Sequence, residues 1–257
     1  MTNMIKTVTF GRHGESEQNI VNNESFKITT DQADLFSKRD SGDHRLTDKG
    51  INDGRVMGEI IRKVDASFDL LVVSSFIRTM ETLLATGLDG RVEISALLDE
   101  RYLGELDLLL TPEIRESYPT TKGDRARSET RWRSPNGESM RDVLTRVLVF
   151  MEHLKAIGSS HPFIVAHSRV IGSYIWWAEQ LEGSEVPSSA YMTNNPNVVV
   201  NGQVIQYGWS KESLHPTHKR SFVPGKELDL EWKPLAPDAR FSMTQLRQLV
   251  DNHSRIF

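Results

Sequence analysis

The chain of 257 residues contains no cysteine, which excludes a disulfide framework and thiolate chemistry while leaving the redox compartment open. It also lacks any run of roughly 18 uninterrupted apolar residues, the length a membrane span requires. The first ten residues, MTNMIKTVTF, show no apolar core followed by a small-residue cleavage site, so a cytoplasmic location is expected. Neither sign of charge dominates. With 31 Lys and Arg against 35 Asp and Glu the net charge is -4, which gives no polycationic surface for nucleic acid. Any positive site must therefore be local. The histidines do not fall at local metal-ligand spacings, and neither a metal nor an organic cofactor is expected. What remains, 38% hydrophobic and 26% charged residues, is ordinary for a folded soluble protein of a length that fills one large core. There is no internal repeat and no long low-complexity tract.

The apolar patterning reads as strands alternating with helices. Residues 4–10, MIKTVTF, are rich in β-branched and aromatic types and run into the polar GRHGES, a strand ending in a loop. Behind Thr47, a residue suited to an N-cap, Ile51, Val56, Ile60, Ile61 and Val64 recur at helical spacing despite three interior glycines. DLLVVSS at 69–75 is a short continuous apolar run, expected of a strand buried on both faces of a parallel sheet, and FIRTMETLLAT follows as its helix. RVEISALL at 91–98 reads as a third strand, 138–157 as a long amphipathic helix, PFIVAH as a fourth strand and SRVIGSYIWWAEQL as its helix. The fold class is thus α/β, a mostly parallel sheet with helices on both faces and a site at the carboxyl ends of its strands. Asn201 and Gly202, between NVVV and QVIQYGW, predict a late hairpin with a type I′ turn. From Lys211 to Arg240 proline and charge leave no clear period, and Ser242 with Gln245 forms a capping-box signature before a short helix.

Four pieces of sequence meet at the expected end of such a sheet. In RHGESEQN, residues 12–19, Arg12 offers a planar fork for phosphate oxygens, His13 an imidazole able to attack phosphorus near neutral pH, and Gly14 a close backbone approach. Arg78 stands just past the buried strand at a helix start, a usual place for an anion contact. Glu100 follows the third strand, and His167 ends the fourth. His153, His161, His215, His218 and His253 have no partner pattern and read as surface or structural residues. Trp176 and Trp177 are adjacent on one helix, so at most one reaches a pocket, and packing is the expected role.

RHGES, followed in order by Arg78, Glu100 and a His167 that ends the strand after a GES-led helix, resembles the histidine phosphatase superfamily, which includes the phosphoglycerate mutases. The resemblance spans about residues 4–180. It implies a phosphoglycerate mutase-like fold, His13 as nucleophile and Glu100 as proton donor. It further implies Arg12, Arg78 and His167 as ligands of the phosphoryl group, with Asn19 assisting. Two features depart from the pattern: Ser168 replaces the glycine usual after the second histidine, and a charged stretch from Asn22 to Arg45 replaces the compact substrate loop of the mutases. The expected reaction is hydrolysis of a small phosphomonoester through phosphohistidine, a histidine acid phosphatase type of chemistry. The alternatives are a mutase using the same site and a noncatalytic module that binds phosphorylated ligands. The chain is expected to form one domain over 1–257 with an unmatched extension from about residue 208. No nucleic acid or membrane partner is expected, and homo-oligomerisation stays open.

Overall fold

The computed structural model describes residues 5–21, 29–64, 67–107, 109, 117, 130–179, 199–210 and 213–235. The first strand, β1 (Thr7–Arg12), leads through α1 (Glu17–Val21), α2 (Thr30–Ser37) and α3 (Asp48–Lys63) to β2 (Leu70–Val73) and α4 (Ile77–Thr86). Then follow β3 (Val92–Ile94), α5 (Met140–Ala156), β4 (Pro162–Ala166), α6 (Ser168–Ala178), β5 (Val204–Gly208), β6 (His218–Phe222) and β7 (Lys233–Pro234). One sheet holds all seven strands in the order β3-β2-β4-β1-β5-β6-β7. The β3-β2-β4-β1 half is parallel, and β5, β6 and β7 add antiparallel pairs at its other side.

The period of two along each strand divides the core into two layers. Leu70, Val72, Ile164, Ala166, Ile205 and Tyr207 point to the face covered by α5 and α6, against Val143, Val147, Phe150, Val170 and Tyr174. Leu71, Val73, Phe163, Val165 and Val204 point to the other face, against Met57, Ile60 and Ile61 of α3 and Leu83 of α4. Each large apolar side chain buried in these layers contributes about 1.5–3 kcal/mol relative to exposure. This is why β2 and β4 are apolar without interruption: both of their faces are covered. Helices therefore lie on both faces, as the alternation predicts. No helix among the described residues is long and apolar enough to cross a membrane.

Local chemistry explains the element ends. Thr47 caps α3, its side chain accepting from the Gly50 amide, and the glycines inside that helix allow it to press on its neighbours. A Cβ on Gly58 would stand 2.1 Å from the Thr86 carbonyl of α4, so only glycine permits this crossing. Ser139 and Asp142 close a reciprocal capping box at the start of α5.

Three expectations change. The third strand is shorter than 91–98: β3 ends at Ile94, and Ala96–Leu98 forms a 3₁₀ turn. A turn forms about Asn201 and Gly202, with the Gln203 amide donating to the Val200 carbonyl at 3.1 Å, but it is not the type I′ hairpin turn expected, because only Gly202 has positive φ. A type I′ turn needs positive φ at both central residues, so this is a different turn. Its bonds to Arg12 outweigh the local preference, and β5 pairs instead with β1 and β6. The sheet also continues into the stretch that showed no period, through β6 and β7. The capping-box signature at Ser242, and most of the insert from Leu106 to Pro135, lie outside the described residues.

Candidate active site

The carboxyl ends of β1, β2 and β4 deliver the chemistry to one place. At the end of β1 the His13 amide donates to the Ala166 carbonyl of β4 at 3.0 Å, so the chain leaves the sheet with its first histidine beside the second. Gly14 then passes so close to α3 that a Cβ would lie 2.1 Å from the Gly50 carbonyl, a contact no other residue permits. The Gly14 amide donates to Thr82 Oγ1 of α4 at 3.0 Å. Arg78 is the second residue of α4, His167 is the N-cap residue of α6, and Glu100 follows the 3₁₀ turn Ala96–Leu98.

A cavity of about 630 Å³ opens at this end of the sheet. Arg12, His13, Asn19, Arg78 and Glu100 all line it. His167 does not; it is fully buried, its ring centroid 5.1 Å from that of His13 and 5.0 Å from that of Phe76. His13 Nδ1 lies 2.7 Å from the Gly14 carbonyl. A carbonyl oxygen only accepts, so Nδ1 carries the proton and Nε2 keeps a free lone pair. His167 Nε2 bonds Ser74 Oγ at 2.7 Å. Arg12 and Arg78 each use Nη1 on a backbone carbonyl, of Val199 and Ser41 respectively, both at 2.6 Å. Glu100 Oε1 accepts from the Arg101 amide at 2.8 Å, while Oε2 faces the Arg169 amide at 3.5 Å. Asn19 Oδ1 accepts from the Ser16 amide at 3.1 Å.

The cluster is electropositive, and its two histidines and Arg78 are buried. Burial, then the charges of Arg78 and Arg12, push the His13 pKa well below the ordinary 6.5, so the ring is neutral throughout the physiological range. Burial does the same to His167, with Arg78 and His13 adding to it. Arg12 and Arg78 are pushed down to about 10, chiefly by burial and against the opposing charge of Glu100, and both remain cations at neutral pH. Among the described residues, three buried polar side-chain atoms without a hydrogen-bond partner are here: Arg12 Nε, Arg78 Nε and His167 Nδ1. A buried charged donor left unpaired costs more than the about 1–3 kcal/mol of a neutral one, so the two guanidinium groups that line the cavity favour an oxyanion in it.

The two buried histidines predict acid sensitivity. Below about pH 6.5 the unfolded chain takes up protons that His13 and His167 refuse in the folded state, so the unfolded state binds more of them and stability falls with falling pH. The loss begins near 6.5 and continues down to the lowered folded pKa values, at up to about 2.7 kcal/mol per pH unit for two groups. Denaturant midpoints at pH 7.5 and 5.5 test this; equal midpoints contradict it.

Several cavity residues carried no signal that the sequence reading used. Arg146 of α5 grips Glu138 with two bonds, at 2.9 and 3.0 Å, and donates to the Glu100 carbonyl at 3.3 Å, so it buttresses the carboxylate's loop. On a helical pattern alone it reads as an exposed polar position. Asp99 lies beside Glu100 and accepts from the Ser75 amide and hydroxyl; burial raises its pKa. Arg169, two residues past His167, also lines the cavity. Trp176 and Trp177 do not line it: Trp176 is buried, and Trp177 packs on Tyr174 and His215. Among the described residues no group of three or more His, Asp or Glu side chains converges as a metal site.

Known proteins resemble the chain in sequence and in fold. The sequence matches the Histidine phosphatase superfamily (branch 1) over residues 8–202. It is 27% identical over 201 residues to the 2,3-bisphosphoglycerate-dependent phosphoglycerate mutase of Bartonella tribocorum, covering 75% of this chain and 91% of the relative. It is likewise 27% identical over 195 residues to the phosphoglycerate mutase of Schizosaccharomyces pombe, covering 73% and 86%. A crystal structure of a putative alpha-ribazole-5'-P phosphatase from Escherichia coli shares the fold with a TM-score of 0.63 at 16% identity, covering 93% of this chain and 99% of that one. A mycobacterial glucosyl-3-phosphoglycerate phosphatase in complex with VO3 aligns with a TM-score of 0.55 at 20% identity, covering 79% and 92%.

Proposed function

From the premise that the chain belongs to branch 1 of the histidine phosphatase superfamily, we propose that it hydrolyses a small phosphomonoester through a phosphohistidine on His13. The observation that carries this reading is the neutral His13, its Nε2 free, in a cavity also lined by the guanidinium groups of buried Arg78 and partly buried Arg12, each with an unsatisfied Nε donor. In the first step His13 Nε2 forms a bond to phosphorus as the bond to the ester oxygen breaks. Arg12, Arg78 and His167 accommodate the charge on the three equatorial oxygens, and Glu100 gives its proton to the departing oxygen. The alcohol leaves. Water then attacks phosphorus, the Glu100 carboxylate takes a proton from it, and the bond to Nε2 breaks to release inorganic phosphate.

The names of the sequence relatives support a second reading, in which the phosphoryl group returns to an acceptor held in the cavity and the enzyme is a mutase. Net release of inorganic phosphate from a panel of sugar phosphates, nucleotides and phosphoglycerates, followed beside isomer formation, separates the two. Because the countercharge is supplied by guanidinium groups, an aryl phosphate should be hydrolysed in excess chelator at the rate measured without it. Strict dependence on added metal contradicts this mechanism. Phosphorylated ligands that bind without forming phosphoenzyme favour a noncatalytic binding module.

A further inference from the structure

The turn from Val199 to Gln203 grips the two residues at the heart of the site. Its backbone accepts from the Arg12 amide through Gln203 at 3.0 Å and donates to the Arg12 carbonyl through Gly202 at 3.1 Å, while Val199 accepts from the Arg12 guanidinium. One side chain joins this clamp: Asn201 Nδ2 donates to the His13 carbonyl at 2.9 Å and to Asn19 Oδ1 at 3.1 Å.

Backbone groups fix the orientation of both amides. The His13 carbonyl only accepts, so the Asn201 atom that meets it is the NH₂ group. The Ser16 amide only donates, so the Asn19 atom it meets is the oxygen. Ser16 Oγ donates to that same oxygen at 3.2 Å, and with Asn201 three donors converge on it. Asn19 lines the cavity, and the polar atom it retains for a phosphoryl oxygen is Nδ2, a donor. The opposite orientation would present an acceptor and repel an anion.

We infer that Asn201 is a positioning residue: it holds the carbonyl of His13 and locks the Asn19 amide with its NH₂ group available to the phosphoryl oxygens. Asn201 does not itself line the cavity, so it acts through its two neighbours. The inference rests on the proposed phosphoryl site and assigns Asn19 the role of a donor there.

A purely structural Asn201 would lower thermal stability and weaken the site whatever residue stood at 19. A positioning Asn201 is coupled to Asn19. The test is a double-mutant cycle of Asn19→Ala and Asn201→Ala on the full chain, read by the inhibition constant of vanadate, with the Tm of each variant measured alongside. Vanadate inhibition is read at equilibrium and needs no turnover. Asn201→Ala is expected to weaken vanadate about tenfold in the natural chain and less than threefold in the Asn19→Ala background. Equal effects in the two backgrounds overturn the inference. If Asn201→Ala proves insoluble, Asn201→Ser, too short to span both acceptors, carries the same cycle. A natural chain that binds vanadate but forms no phosphoenzyme sinks the proposed hydrolysis and leaves the coupling to decide this inference; one that does not bind vanadate overturns both.

Discussion

His13→Ala is expected to form no phosphoenzyme and to lose turnover by on the order of 10⁴-fold or more, since the proposed mechanism takes the attacking electron pair from His13 Nε2. The variant should fold. The His13 side chain makes one hydrogen bond, to the carbonyl of the next residue, and its ring carries no charge at neutral pH. Removing it leaves the backbone bonds of Arg12 and His13 to Gln203, Gly202 and Ala166 in place. With Arg12 and Arg78 retained, inorganic phosphate should still bind, and the acid sensitivity should shrink because one fewer buried histidine refuses a proton. A folded His13→Ala chain with normal turnover identifies another nucleophile.

Glu100→Gln is expected to discriminate between leaving groups. An alkyl alkoxide is strongly basic and needs a proton as its bond to phosphorus breaks, whereas a nitrophenolate departs with little help. General acid catalysis typically contributes 10²–10⁴-fold, so kcat/KM for alkyl esters should fall by about that factor while an activated aryl ester loses much less. Comparison by kcat/KM isolates the first irreversible step, because slow hydrolysis of phosphohistidine can mask the difference in kcat. Equal losses for both classes remove Glu100 from this role. Glu105, near in sequence, is not the replacement: it does not line the cavity and binds Asn136 at 2.8 Å. Asp99 is, since it lines the cavity and burial raises its pKa.

The site was legible where the fold makes function follow from position. A polar residue immediately past a buried parallel strand must emerge at one end of the sheet, and that rule placed His13, Arg78 and His167 together before any geometry was known. RHGES carried more than the rule, because Gly14 is required by contact with Gly50, two residues far apart in sequence. Glu100 also lines the cavity, brought there by a 3₁₀ turn after a strand shorter than the apolar run suggested. Long-range bonding was not legible. Asn201-Gly202 has the composition of a hairpin turn, and only the pairing of its backbone with Arg12 reveals a clamp on the loop that carries Arg12 and His13. His44 gave no pattern either, yet it is buried, stacked on Phe36, 3.7 Å from Glu17. The polar strand β6, HKRSF, hid its place in the sheet because four of its five residues are only partly covered or exposed. Its period of two had little apolar contrast to display.

The central claim is the covalent bond between His13 and phosphorus. It is tested by mixing the enzyme with a substrate carrying labelled phosphate, quenching in alkali within the first turnover, where a phosphorylated histidine survives, and locating the label by peptide mapping. Label is expected on His13, formed at least as fast as kcat. Hydrolysis that proceeds with no labelled intermediate, or with label on another residue, contradicts it.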